Sequence, residues 1–483
     1  MHTDPPPDFA PLFTPRSIAV IGASATGGGV PSHFLRNLRA TGFPGRVYAV
    51  HPSAETVEGW PAFPTIADLP EPVDYAYVAV AAARTPDLLR AAAGRIRFAQ
   101  VISSGFSETG EAALEADLVA ACREGGMRLI GPNCLGLHSP AGRVSFMDRV
   151  QMQPGGVGVL SQSGGLGADI LRRGQMRGLR FSALVTLGNC ADLGPADLLP
   201  HLLDDPTTRV IGLYLEDVRD GRRFFETLRA ARARKPVVIL KGGRTEAGQR
   251  ASASHTGALA QDDRLWQALC RQTGAVMVDT LDRFLNALVA FQCLAPLGAG
   301  RVTRDVVLFG NGGGTSVLAT DAFSRAGFAI SALEGETAAR LEALHLPPGS
   351  SLGNPIDTPA GALRQRSGEL GGLILAAVAD APGIDAIVMH LNMPVILSYS
   401  DPEILPNLIK GALDLQTGGR ARLHFVLVLR SDGELDIEAE RHRYRAAALA
   451  LGVPVFDELV DAAAALACVA EYERFSVFSQ TET

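Results

Sequence analysis

Apolar runs that break at glycine recur along this chain. In SIAVIGAS the residues Ile18 to Ile21 are continuously apolar and stop at Gly22. A run without polar alternation predicts a strand covered on both faces of a parallel sheet, and the glycines after it predict a tight turn into a helix from about Ser32. Further strands are expected at Val47 to Val50, Tyr75 to Val80, Gln100 to Ser103 and Arg128 to Ile130, with helices at Thr85 to Ala93 and Gly110 to Gly125 between them. From Ser139 to Pro154 the alternation fades and Pro and Gly gather, which marks a boundary.

The design then repeats. A strand at Gly158 to Leu160 meets the turn SQSGGLG and a helix carrying Leu166, Ile170 and Leu171. Strands are expected again at Phe181 to Thr186, Val210 to Glu216, Pro236 to Lys241 and Ala275 to Val278, before a second linker from Cys293 to Asp305. A third region opens VVLFGNGGGTSVLATDAF and has later strands at Asp385 to His390 and Phe425 to Leu429. The pattern predicts an α/β protein with domains at 12–140, 155–292 and 304–475, the last two reading as copies of one architecture.

Composition sharpens this picture. A chain of 483 residues is too long for one hydrophobic core, and 47% apolar with 20% charged residues describes an ordinary globular protein. The formal charge of −7 argues against nucleic acid or an acidic membrane as the principal partner, which leaves small molecules. The six cysteines form no CxxC pair, neither they nor the histidines show metal-ligand spacing, and no signal peptide or long apolar span is evident. Reduced thiols in a cytoplasmic protein, with no bound metal, are therefore expected.

Glycine turns between strand and helix point backbone N–H groups and the positive helix end at one spot, and the missing Cβ atoms let an anion approach. Each turn taken alone is equally explained by close strand–helix packing. The turn from Gly22 to Gly29 suits a pyrophosphate, but a nicotinamide dinucleotide also asks for an acid at the end of the second strand, where this chain has Val50-His51-Pro52. Coenzyme A is compatible with that missing carboxylate, with Arg16, Arg46 or His51 in reach. A different feature stands apart: in SASHTGALA a lone histidine, His255, lies in a run of small residues, as a surface histidine or as a group that must visit more than one partner.

SIAVIGAS, ISSGFSETG, LIGPNCLG, GVLSQSGGLG, TLGNCAD, IGLYLEDV, LKGGRTEAGQRASASHTGALA, GNGGG and GNPID, in this order, resemble the NDP-forming acyl-CoA synthetases, the superfamily of succinyl-CoA synthetase and the ADP-forming acetyl-CoA synthetases. The resemblance implies a Rossmann-like CoA-binding domain followed by two flavodoxin-like domains. It implies that carboxylate, CoA and ATP interconvert with acyl-CoA, ADP and phosphate through an acyl phosphate and a phosphohistidine at His255, which Glu216 orients. Asp217 is a neighbouring rival for that role. CoA is implied near Gly22, Ala23, Ser24, Val80, Ser104, Gly105, Phe106 and Asn133. Phosphate is implied where two helix N-termini meet, one at Ser161, Ser163, Gly164 and Gly165, the other at Gly312, Gly313 and Gly314. Cys134 is read as a packing thiol, and His201 and His390 as packing residues.

No segment reads as the ATP-grasp module these enzymes need, so ATP/ADP and Mg²⁺ are expected on a separate β subunit, in an α2β2 assembly. Departures from the family pattern, Cys190 in TLGNCAD, His51 before Pro52 and the absence of an acid after the glycine in GNPIDTPAGA, bear on the acyl substrate, so acetate is not assumed. Two alternatives remain open at this level: a CoA-binding regulatory protein on the same scaffold, and a Rossmann oxidoreductase, which the missing ribose acid disfavours.

Overall fold

The structure, a computed structural model, describes residues 8–250, 262–298, 300–363, 365–398, 401, 403–417 and 423–481. They fall into two compact units, Met1–Leu281 and Asp282–Thr483. Among the described residues no helix is long and apolar enough to cross a membrane.

The first unit contains two sheets. In the first sheet, Ser17–Ile21 is flanked by Arg46–Val50 and Val73–Val78, with Trp60–Phe63 beyond the former and Ile96–Val101 and Arg128–Ile130 beyond the latter, all parallel. Counted from Ser17–Ile21 this is the strand order 3-2-1-4-5-6 of dinucleotide-binding folds, with the short Thr56–Val57 added antiparallel at the edge. All five residues of Ser17–Ile21 are buried, as a strand covered on both faces requires. Phe34, from the helix Gly29–Ala40, stacks on Tyr77 with ring centroids 4.1 Å apart.

Two strands lie earlier than the apolar runs predict. Val73–Val78 starts two residues before Tyr75 because Asp74 accepts the N–H of Arg16 at 2.9 Å, and it ends before Ala79 and Val80, which leave the sheet to wrap Gly22. Ile96–Val101 begins behind Arg97, which faces solvent and hides the first half of the strand from an apolar count.

In the second sheet Val157–Ser161 pairs with Phe181–Thr186 on one side and Val210–Leu215 on the other, followed by Val237–Lys241 and Val276–Val278. The segment expected as a bare boundary is partly structured. Leu137–Ser139 runs antiparallel along Phe181–Thr186, and Val144–Ser145 along Leu137–Ser139, so both extend this sheet. Their side chains are buried on both faces, which leaves no alternation to read in the sequence.

The second unit carries a sheet of five parallel strands in the order Ile356–Asp357, Val306–Gly310, Ala386–Asn392, His424–Arg430, Val455–Phe456. The parallel strands of both later sheets follow 2-1-3-4-5 in chain order, the flavodoxin-like arrangement, so the expected likeness of the two regions holds at the level of topology.

Candidate active site

Ligands of doubly wound sheets sit outside the carboxyl ends of the strands, where the strand order reverses. In the first sheet that place lies between Ser17–Ile21 and Val73–Val78. Gly22 stands there at φ +94°, and a Cβ on it would come within 2.2 Å of the Ala79 carbonyl oxygen, so the turn accepts only glycine. Ala23 is buried, while the Ser24 hydroxyl shares a hydrogen bond of 2.9 Å with Thr26. The helix Gly29–Ala40 that follows has no side-chain cap, so its leading N–H groups stay open.

Val80, Ser104, Gly105 and Asn133 gather at the same edge. The Ser103 hydroxyl donates to the Val80 carbonyl, and the Asn133 N–H donates to the Ser103 carbonyl at 3.0 Å. Asn133 follows the cis peptide Gly131-Pro132 and has φ +59°. The Phe106 side chain is fully buried, so a ligand meets this residue only through its backbone. Next to these loops a cleft of about 550 Å³ is lined by Val50, Thr65, Ile66, Arg84 and Leu88, residues no motif had singled out.

The thiol of Cys134 is pushed up to about 12 by burial, so it is protonated at neutral pH and is no nucleophile. His201 stacks on Phe13 with centroids 4.7 Å apart, and burial lowers its pKa. His390 is fully buried and is pushed down to about 4 by that burial.

A second group lies at the carboxyl edge of the second sheet. Glu216 is the first residue beyond Val210–Leu215. Its Oε1 accepts from the Tyr214 hydroxyl at 2.9 Å, while its Oε2 is buried with no hydrogen-bond partner among the described residues. Burial and the neighbouring Glu216 charge raise the Tyr214 phenol well above its ordinary value, so it stays a donor.

Gln162, which the sequence reading passed over, holds this corner. Its Oε1 accepts the N–H groups of Glu216, at 2.5 Å, and of Asp217, at 3.0 Å, and its Nε2 donates to the Asp217 carbonyl at 2.7 Å. Lys241 adds a donation of 2.8 Å to the Glu216 carbonyl. Glu216 and Gln162 line a cleft of about 320 Å³ with Asn189, Cys190, Asp217 and Arg219.

Ser161 is buried, and its hydroxyl donates to the Ser163 carbonyl at 2.7 Å. The Ser163 hydroxyl caps the helix Gly164–Met176 by accepting from Leu166 N–H at 3.2 Å. Both hydroxyls thus have internal work, and neither caps the N–H groups of Gly164 and Gly165. A Cβ on Gly164 would press within 2.8 Å of Leu135, whereas one on Gly165 would meet nothing within 4 Å.

The segment that carries His255 lies outside the described residues. Its two stems are described. Gly242, at its start, has no room for a Cβ, which would stand 2.8 Å from the Tyr214 hydroxyl and 3.4 Å from Glu216 Cγ. Arg244 and Asp263 join the stems by two hydrogen bonds, of 2.6 and 3.0 Å.

Gly312, Gly313 and Gly314 belong to the second unit and open the helix Gly313–Arg325, with Gly312 at φ +109°. Arg430, unmarked in the sequence reading, reaches this turn and donates to Thr315 Oγ1 at 3.1 Å.

Known proteins resemble this chain in sequence and in fold. Residues 16–140 match the family model described as CoA binding domain, and residues 154–291 match the model described as Succinyl-CoA ligase like flavodoxin domain. The alpha subunit of acetate–CoA ligase (ADP-forming) II from Pyrococcus furiosus is 32% identical over 410 residues, 84% of this chain and 87% of that protein. The alpha subunit of the isoenzyme I from the same organism is 35% identical over 355 residues, 72% and 75% of the two chains. The dinucleotide-forming acetyl-coenzyme A synthetase 1 of Ca. Korarchaeum cryptofilum, solved with phosphate and ADP, superposes with a TM-score of 0.84 at 27% identity over 98% of this chain and 99% of that one. The chain belongs to the ADP-forming acyl-CoA ligases and corresponds to their alpha subunits.

Proposed function

We propose that this chain is the acyl- and phosphoryl-transferring half of an ADP-forming acyl-CoA ligase, with His255 as phosphoryl carrier and Glu216 as the residue that orients it. The observation that carries this reading is the buried Oε2 of Glu216, which has no hydrogen-bond partner among the described residues and lines a cleft beside the point where the His255 segment leaves the sheet. A carboxylate that accepts one ring N–H of a neutral imidazole fixes its tautomer and leaves the lone pair of the other nitrogen free to attack phosphorus.

In the direction of ATP formation, a phosphate oxygen attacks the thioester carbonyl; a C–O bond forms, the C–S bond breaks and CoA leaves as thiolate. The His255 nitrogen then attacks the phosphorus of the acyl phosphate, forming N–P as P–O breaks and the carboxylate departs. Finally an ADP oxygen takes the phosphoryl group as N–P breaks. The leading N–H groups at Gly164 and Gly165 are assigned to the phosphoryl oxygens, and the turn Gly312, Gly313 and Gly314 of the second unit is assigned a phosphate-binding role of its own. Ser161 and Ser163 shape the first of these turns.

CoA is assigned to the edge formed by Gly22, Ala23, Ser24, Val80, Ser104, Gly105, the Phe106 backbone and Asn133, with its adenine in the cleft at Val50 and Arg84. Among the described residues no group of three or more His, Cys, Asp or Glu side chains is placed to hold a metal ion. Mg²⁺ and the nucleotide are assigned to an ATP-grasp β subunit, in an α2β2 assembly, in keeping with the likeness to alpha subunits of two-subunit ligases.

The test is a panel of carboxylic acids offered to the chain together with an ATP-grasp protein of the same organism, CoA and Mg-ATP. Acyl-CoA, ADP and phosphate should appear in equal amounts for at least one acid. Formation of AMP and pyrophosphate, or CoA binding without turnover of any acid, contradicts the reading.

A further inference from the structure

Asn189 follows the strand Phe181–Thr186 of the second sheet, yet its side chain bonds to the lobe built on the first. Its Nδ2 donates to Glu108 Oε2 at 2.5 Å and Glu115 Oε2 at 2.8 Å, with Ser107 Oγ at 3.3 Å. Its Oδ1 accepts from Asn133 Nδ2 at 3.3 Å. The backbone makes the same junction, since the N–H of Asn189 donates to the Pro132 carbonyl and that of Ala191 to the Gly131 carbonyl, each at 3.0 Å. Gly188 permits the approach: a Cβ there would stand 2.2 Å from the Pro132 oxygen.

Two of the groups Asn189 holds, Asn133 and Glu108, belong to the CoA edge or brace it. Glu108 Oε1 accepts the N–H groups of Gly105, at 2.6 Å, and Phe106, at 3.2 Å. Burial alone would raise the Glu108 carboxyl, but the hydrogen bonds from Asn189 and from these N–H groups hold it below its ordinary value. Glu115 takes the Ser107 hydroxyl at 2.6 Å and the Arg219 guanidinium at 3.4 Å. Asp192, close by in the chain, is bound by Arg123 and Arg128, and Cys190 and Asp217 face the neighbouring cleft.

Two carboxylates therefore meet at one amide nitrogen while the amide oxygen points the other way, to Asn133. A neutral side chain that donates twice and accepts once at this size is an asparagine; aspartate offers no donor and leucine neither function.

We infer that Asn189 is a positioning residue for bound CoA: it fixes the Asn133 amide and, through Glu108, the Gly105 turn at the CoA edge, without touching CoA itself. This rests on the assignment of Asn133 and the Gly105 turn to CoA.

The experiment is calorimetric titration of CoA into the full chain between pH 5 and 8, with Asn189→Asp and Asn189→Leu beside the wild type and a melting curve for each. Asn189→Asp places three carboxylates together, so its affinity should fall about tenfold at pH 8, and the deficit should shrink toward pH 5 as one of the three takes a proton. Asn189→Leu should lose affinity with no such recovery. Adding Glu108→Gln to Asn189→Asp removes one charge and should restore much of the binding at pH 8, even if the single variant melts early. Wild-type affinity in Asn189→Asp, a deficit that ignores pH, or no rescue by the second change would overturn the inference. Absence of CoA binding by the wild type would instead overturn the CoA assignment on which it rests.

Discussion

Glu216 illustrates what a single residue contributes. Its two carboxylate oxygens have different surroundings, one taken by the Tyr214 hydroxyl and one buried without a partner among the described residues. A buried acceptor left unpaired costs about 1–3 kcal/mol, so a partner for Oε2 arriving on the His255 segment would recover that cost on docking. Glu216→Gln keeps the shape and the bond to Tyr214 but removes the charge that favours the imidazole N–H. Its expected effect is a fall in the rate of His255 phosphorylation of roughly 10–100-fold, with CoA affinity unchanged. Rapid-quench labelling with an acyl phosphate donor reads the first quantity, and an equal rate in the variant would remove Glu216 from the orienting role. Cys134 shows the opposite case: a residue of tempting chemistry whose burial keeps it protonated and whose contacts, to Gln100 and the Val101 carbonyl, are those of packing.

At the level of elements, the strand-to-turn-to-helix units at 18–29, 158–165 and 306–314 were legible because each combines a continuous apolar run with glycines at its end, a pattern that burial on both faces and a tight turn both impose. Where local polarity carried a tertiary duty, legibility failed. Asp74 stands second in a buried strand because it holds Arg16, and Arg97 hides half of Ile96–Val101 by facing solvent. Leu137–Ser139 and Val144–Ser145 are too short and too evenly buried to show a period. At the candidate site, the resemblance carried by IGLYLEDV pointed to Glu216, whereas Gln162 and Asn189 gain their meaning from segments more than fifty residues away, which no local pattern encodes.

The second unit offers an element-scale prediction. Glu473, in the helix Leu459–Thr481, is buried and accepts from the N–H groups of Leu297 and Thr303 and the Thr303 hydroxyl, while pairing with His424 at 2.9 Å. It thereby ties the segment leading into Val306–Gly310 to the last helix. Burial would raise its carboxyl, but the bonds from His424, Thr303 and Leu297 hold it below the ordinary range. A depressed carboxyl contributes stability that is fully present above its unfolded pKa of about 4.3 and is lost as pH falls through the folded value. Glu473→Gln should therefore lower the melting temperature at pH 7 by roughly 5 °C, and the gap to the wild type should close in the acid range. A calorimetric gap that stays constant down to pH 3 would contradict this account.

At the scale of the molecule, the chain divides its labour: the first sheet carries the edge assigned to CoA, the second carries Glu216 and the stems of the His255 segment, and the second unit carries another glycine turn with Arg430 at its side. Ion pairing at Arg244 and Asp263 joins the two stems, so that the intervening segment starts and ends at one place.

The most direct measurement is mass spectrometric mapping of the phosphorylated residue after the chain, with its nucleotide-binding partner, is exposed to Mg-ATP. The account predicts one acid-labile phosphate on His255, discharged by carboxylic acid and CoA together and missing in His255→Ala. Undiminished labelling of that variant, or a phosphate found elsewhere, would contradict it.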